Sequence, residues 1–179
     1  MNIFISGGCK NGKSMHAQRL AREMALEKNV PLYYLATMIP QDEEDRQRIR
    51  RHIDDRAGWG FTTLERGRDI CGILQGEADP DGVFLLDSVT ALLSNEMFRP
   101  GGVYDPDAGK RVAEELCAFA RQTGNTVFVS DYIYSDGRLF DSYTENYRRG
   151  LALTDRSLAQ TCDRVIEVAF GHTFCYDRA

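Results

Sequence analysis

The sequence predicts a three-layer α/β fold with a mainly parallel central sheet flanked by helices. Short apolar runs alternate with longer helical stretches, the pattern of strand–helix–strand units. One run, GVFLLD, is apolar almost throughout, as a strand buried on both faces must be. The first run opens at once into a glycine-rich turn and then an amphipathic helix.

Taken in order, Asn2–Ser6 is the first expected strand, and Lys13 to about Lys28 the first helix, with Ala17, Leu20, Ala21 and Met24 on one face. Pro31–Thr37 reads as a second strand, followed by a very polar helix from about Asp42 to Asp55 whose aliphatic pair is Ile49 and Ile53. Gly82–Asp87 is the central strand, Val89–Phe98 a helix, and 98–109 a loop rich in Gly, Pro and Asp. Pro106–Thr123 is the clearest amphipathic helix, with Val112, Leu116, Phe119 and Ala120 aligned. Thr126–Ser130 is another buried strand, Asp131–Ser142 irregular, Asn146–Thr161 a helix, and Arg164–Ala169 a strand before a tail that can add an edge.

At 179 residues the chain is expected to form one domain spanning 1–179, with no linker or internal repeat. A net charge of −5 argues against a nucleic-acid partner, since phosphate backbones demand basic patches. No apolar run approaches the roughly 18–20 residues that span a bilayer, and MNIFISGG lacks the basic start and long apolar stretch of a secretory signal. Cys9, Cys71, Cys117, Cys162 and Cys175 form no CxxC pair, which fits reduced thiols in a cytoplasmic protein better than disulfides or zinc.

Gly7, Gly8, Cys9, Lys10, Asn11, Gly12, Lys13 and Ser14 match GxxxxGK[ST] in full, after a strand and ahead of a helix. That context makes them a P-loop: glycines bring successive N–H groups against phosphate oxygens, and the helix start adds its positive dipole end. Lys13 is the catalytic cation for the β- and γ-phosphates, and Ser14 a ligand for Mg²⁺ carried by ATP or GTP. Asp87, closing an apolar strand, is either the second Mg²⁺ ligand or a cap for the next helix.

His52 lies in RQRIRRHIDDR. On periodicity alone, a histidine on so polar a helix reads as a solvated side chain. Its company of Arg46, Arg48, Arg50, Arg51 and Arg56 points the other way, because arginine forks grip phosphates. A neutral imidazole beside a bound triphosphate can serve as a covalent nucleophile.

With these elements in hand, the chain resembles the bifunctional adenosylcobinamide kinase/adenosylcobinamide-phosphate guanylyltransferase family, of the RecA-like P-loop NTPases. The phosphate loop matches at Gly7–Ser14, the Y-[IL]-A-T strand end at Tyr34–Thr37, and D-x-E…R-I-x-x-H-x-x-x-R at Asp42, Glu44, Arg48, Ile49, His52 and Arg56. Phe61, Thr63 and Glu65 match the next element, and Leu85–Asn95, with Asp87, Thr90 and Asn95, the one after. The resemblance implies that His52 is the residue that becomes guanylylated. It also extends the nucleotide site to Ala36, Thr37, Asp54, Asp55, Arg56, Glu65 and Thr90, beside Asp87.

The implied chemistry has two halves. A nucleoside triphosphate phosphorylates the hydroxyl of the corrinoid adenosylcobinamide; GTP then guanylylates His52, and the GMP passes to adenosylcobinamide phosphate. A homo-oligomer, in this family a homotrimer, is also implied. The C-terminal half departs from the family pattern at Ser130-Asp131-Tyr132-Ile133-Tyr134, at Tyr147-Arg148-Arg149 with Ala152, Asp155 and Arg156, and at Gly171–Cys175. Three alternatives therefore stay open: a related kinase acting on another small alcohol, a protein with one of the two activities, and a nucleotide-binding regulatory subunit.

Overall fold

The computed structural model of the chain describes residues 1–40, 42–54, 56–135 and 137–177, with the side chains at 44, 48, 51, 52, 54 and 177 outside that description. In chain order, β1 (Ile3–Gly7) leads into α1 (Lys13–Lys28), β2 (Leu32–Ala36) into α2 (Glu43–Asp54), and β3 (Phe61–Glu65) follows. Next come β4 (Val83–Asp87), α3 (Val89–Met97), the small hairpin of β5 (Phe98–Arg99) and β6 (Val103–Tyr104), and α4 (Ala108–Thr123). The chain closes with β7 (Thr126–Asp131), α5 (Ser142–Thr161), β8 (Arg164–Ala169) and β9 (His172–Asp177).

Seven strands form one sheet in the order β3-β2-β4-β7-β1-β8-β9, parallel throughout except for β9, which pairs antiparallel with β8 on the edge. Alternation along the strands splits the core in two. Ile3, Ile5, Leu85, Val127 and Val129 meet Ala17, Ala21, Met24 and Ala25 of α1. Phe4, Phe84, Leu86 and Phe128 pack on the other face, under Leu92, Leu116, Phe119, Leu151 and Leu158 of α3, α4 and α5. Phe84 and Phe119 meet edge to face at 5.2 Å, a geometry that ring quadrupoles favour. Gly109 and Gly150 let α4 and α5 touch backbone to backbone, since a Cβ on Gly109 would lie 2.5 Å from the Gly150 Cα.

The expected α/β sheet is present, and the elements differ from expectation in four places. β3 has apolar residues only at Phe61 and Leu64, three apart, so no two-residue alternation announces it; pairing with β2 holds it in the sheet. A 3₁₀ helix occupies Ile70–Gln75. The loop over 98–109 contains the β5–β6 hairpin and the start of α4. Helix α5 begins at Ser142 rather than near Asn146, because the Asp141 carboxylate accepts from Tyr143 N at 2.9 Å and Thr144 N at 3.1 Å, capping the helix one turn earlier.

Parallel register sets the site. Ala36 pairs with Asp87, Asp87 with Val129, and Gly7 with Asp131, so the carboxyl ends of β2, β4, β7 and β1 share one edge. That edge is where open parallel sheets bind ligands.

Candidate nucleotide site

A cavity of about 770 Å³ opens at this edge, lined by the phosphate loop from Cys9 to Met15 and by residues at the ends of β2, β4 and β7. The loop is held from below. Asn11 Nδ2 donates to the Val168 carbonyl of β8, Tyr132 N donates to Gly7 O at 3.0 Å, and Gly12 turns through the left-handed region at φ 90° to start α1. Gly7 is required by close approach, because a Cβ there would overlap the Val168 carbonyl oxygen.

Lys13 is 5% exposed. Its Nζ donates to Gly8 O at 2.7 Å and to Asp131 Oδ1 at 2.9 Å. An ammonium folded back on its own loop, with one carboxylate partner, is a cation held ready for a phosphate. Asp131 is itself fixed, since its backbone N donates to Thr90 Oγ1 at 3.0 Å and Tyr147 OH donates to Thr90 O at 2.9 Å.

Across the cavity, Arg56 is buried at 5% exposure, with its guanidinium carbon 3.5 Å from the centroid of the Tyr34 ring. Its Nε and Nη1 have no hydrogen-bond partner among the described residues. Burial, then the Asp87 charge, pushes the Tyr34 hydroxyl well above the usual range, which keeps it a hydrogen-bond donor toward Asp87.

Behind β7 lies a second buried polar layer. Tyr134 OH donates to Asp155 Oδ2 at 3.1 Å. Burial pushes the Asp155 carboxyl up to about 7, with the neighbouring Ser130 and Tyr134 hydroxyls opposing and the Asp131 charge reinforcing the shift. Burial also raises the Tyr147 hydroxyl, reinforced by Asp131 and Asp155.

Of the residues expected from sequence, Cys9, Lys10, Asn11, Gly12, Lys13, Ser14, Ala36, Arg56 and Asp87 line this one cavity. Gly7, Gly8, Thr37, Thr90 and Glu65 do not. Gly7 and Gly8 shape the loop, and Thr90 holds Asp131. Thr37 is fully buried, its Oγ1 donating to Ser88 O and accepting from Ser88 N, both at 2.8 Å. Glu65 is exposed at the end of β3. Helix α2 reaches the cavity through Ile49. His52 belongs to that helix, and its side chain, that of Asp54 and all of residue 55 lie outside the described residues.

Tyr34, Met38, Ser88, Ala91 and Asp131 also line the cavity, where the sequence patterns do not place them. Asp131 was legible in principle, because an acid closing the apolar run TVFVS repeats the pattern that marks Asp87. Ser88 caps α3 by accepting from Ala91 N at 3.2 Å, so the cap that Asp87 could have supplied belongs to its neighbour.

A loop of this geometry on this sheet order is shared by many nucleotide-binding proteins, and comparison narrows the choice. A family model described as cobinamide kinase / cobinamide phosphate guanyltransferase matches residues 3–175. The chain belongs to this family. It is 35% identical over 174 residues to the bifunctional adenosylcobalamin biosynthesis protein CobP of Pseudomonas aeruginosa, covering 96% of this chain and 94% of that one. It is 33% identical over 107 residues to the corresponding CobU protein of Escherichia coli, and 33% over 116 residues to that of Salmonella typhimurium. Those two matches cover 60% and 64% of this chain and less than two thirds of the relatives, 56% and 60% of their lengths.

Among solved structures, the ATPase domain of G40P superposes with a TM-score of 0.52 at 12% identity, over 93% of this chain and 68% of that one. That likeness shows the shared RecA-like P-loop fold. No helix of the described residues is long and apolar enough to cross a membrane, and all five cysteines are free thiols.

Proposed function

We propose that this chain is a bifunctional enzyme of cobalamin assembly. It phosphorylates adenosylcobinamide with ATP or GTP and transfers GMP from GTP to adenosylcobinamide phosphate. The observation that carries this reading is the composition of the cavity wall: the Lys13 ammonium, the buried Arg56 guanidinium, the Ser14 hydroxyl and the Asp87 carboxylate line one space. Two cations and two hard oxygen donors meet the needs of a magnesium triphosphate. Ser14 and Asp87 would hold Mg²⁺, which when bound neutralises charge on the phosphate oxygens.

In the kinase half, Lys13 stabilises the charge that develops on the β- and γ-phosphates while the acceptor hydroxyl attacks. In the nucleotidyl half, the His52 imidazole attacks the α-phosphorus of GTP and pyrophosphate leaves. The GMP then moves from the imidazole nitrogen to the phosphate of adenosylcobinamide phosphate. Arg56, with Asp54, Asp55 and Ala36, belongs to the nucleotide site in this reading; Thr37 and Thr90 support it from outside the cavity wall. The active form is proposed to be a cytoplasmic homotrimer, for which light scattering should give three times the 20.2 kDa chain mass.

The direct test is labelling with GTP carrying a radioactive α-phosphate. The wild type should acquire an acid-labile, base-stable label, and His52→Asn should acquire none. An unlabelled wild type overturns the nucleotidyl half. Turnover of cobinamide against a panel of other alcohols addresses the related-kinase reading, which the departures between 131 and 156 favour. Brisk phosphorylation of cobinamide removes that alternative.

A further inference from the structure

We propose that Asp131 is the general base of the phosphoryl-transfer step. This rests on the kinase reading above and assigns the residue that takes the proton of the acceptor hydroxyl.

Asp87 and Asp131 are the two carboxylates that line the cavity among the described residues. They are not equivalent. Asp87 is engaged by the Tyr34 hydroxyl and suits the metal. Asp131 stands two residues further along the edge in register, beyond Val129, which pairs with Asp87. Its Oδ1 is 2.9 Å from Lys13 Nζ, and its side chain is 29% exposed toward solvent. A P-loop lysine contacts the β- and γ-phosphates. A carboxylate one hydrogen bond away from that ammonium therefore stands beside the γ-phosphoryl group. An attacking oxygen must also sit there, about 3–3.5 Å from phosphorus.

The backbone that carries the carboxylate is also held in place. Thr90 Oγ1 accepts from Asp131 N at 3.0 Å, and the next residue, Tyr132, donates its N–H to Gly7 O at 3.0 Å. Both sides of the residue are thus tied, one to α3 and one to the phosphate loop. A base needs this kind of fixed reach to the proton it removes.

The acceptor oxygen forms a bond to the γ-phosphorus as the bond from that phosphorus to the β,γ-bridging oxygen breaks. The electron pair of the broken bond leaves on the nucleoside diphosphate. The hydroxyl proton passes to an Asp131 carboxylate oxygen and then to solvent through its exposed side. Lys13, paired with Asp131 before the nucleotide arrives, turns to the phosphates, which frees the carboxylate to accept.

The test compares wild type, Asp131→Asn and Asp131→Glu with cobinamide and magnesium ATP. The expected result for Asp131→Asn is a kcat lowered by about 10²–10⁴-fold, the usual worth of a positioned base. Its ATP affinity should be at least that of wild type, because a negative charge beside the phosphates is gone. Asp131→Glu should recover part of the rate. If Asp131 were only the counterion of Lys13, Asp131→Asn would show altered nucleotide Kd with kcat kept, and that outcome overturns the assignment. A wild type that phosphorylates no cobinamide overturns the kinase reading itself, whereas an active wild type matched by an equally active Asp131→Asn overturns only the base.

Discussion

Arg56 and Asp155 are both ionisable groups buried in the protein, and each has a measurable consequence. Among the described residues the Arg56 nitrogens Nε and Nη1 have no hydrogen-bond partner, although the residue is 5% exposed. An unsatisfied buried polar group costs about 1–3 kcal/mol, part of which the Tyr34 ring contact returns. Arg56→Met is therefore expected to raise stability by about 1 kcal/mol while lowering nucleotide affinity at least tenfold, by denaturant titration and calorimetry. A loss of both would make Arg56 a structural residue.

Asp155 behaves in the opposite sense to a salt-bridged acid. Its carboxyl is raised from 3.8 to about 7 in the folded chain, so the folded state holds the proton that the unfolded state releases. Its stabilising contribution is complete below about pH 4 and is lost as pH rises through about 7, to a limit on the order of 4 kcal/mol. Asp155→Asn should remove this dependence. Relative to wild type, its urea midpoint should rise between pH 5 and pH 8, and an unchanged difference would refute the assignment.

At the scale of elements, α4 and α5 cross at Gly109 and Gly150, and the two positions are not interchangeable. A Cβ on Gly109 would meet the Gly150 Cα at 2.5 Å and its carbonyl oxygen at 3.2 Å, all backbone. A Cβ on Gly150 finds its nearest atom at 3.3 Å, followed by the flexible Met97 and Leu93 side chains. Gly109→Ala should cost about 1–3 kcal/mol through forced separation of the helices. Gly150→Ala should be near neutral, since alanine's helix propensity of about 1 kcal/mol offsets the tighter contact. Equal urea midpoints for the two variants would contradict this packing. The start of α5 was partly legible, because Asp141 with Thr144 forms a side-chain cap, yet apolar periodicity begins only later in the helix. β3 was not legible, since an edge strand can be held by hydrogen bonds to β2 without an apolar face of its own.

For the whole molecule, a ligand bound only to the folded state adds stability by mass action. Magnesium ATP at about a hundredfold over its Kd should contribute about 2.7 kcal/mol, or roughly 5–10 °C in Tm for a chain of this size. Lys13→Ala should abolish most of that shift and cost at least about 10²-fold in phosphoryl transfer. A full shift in that variant would remove Lys13 from the phosphate site.

The phosphate loop, the parallel α/β sheet and Asp87 as a strand-end acid are all legible in the linear sequence. Each depends on local spacing: a glycine pattern between strand and helix, or an apolar run with a terminal carboxylate. Tertiary structure alone decided which strand ends share an edge. The order β2-β4-β7-β1 brings Tyr34, Asp87 and Asp131 to Lys13 from segments up to 118 residues apart in chain. It also separated Thr37, Thr90 and Glu65 from the cavity wall, because matching a motif does not specify which way a side chain faces. Asp131 shows the difference most clearly. In sequence it is one acid after an apolar run; in the fold it is the partner of the phosphate-loop lysine, because parallel pairing of β7 with β1 carries it there.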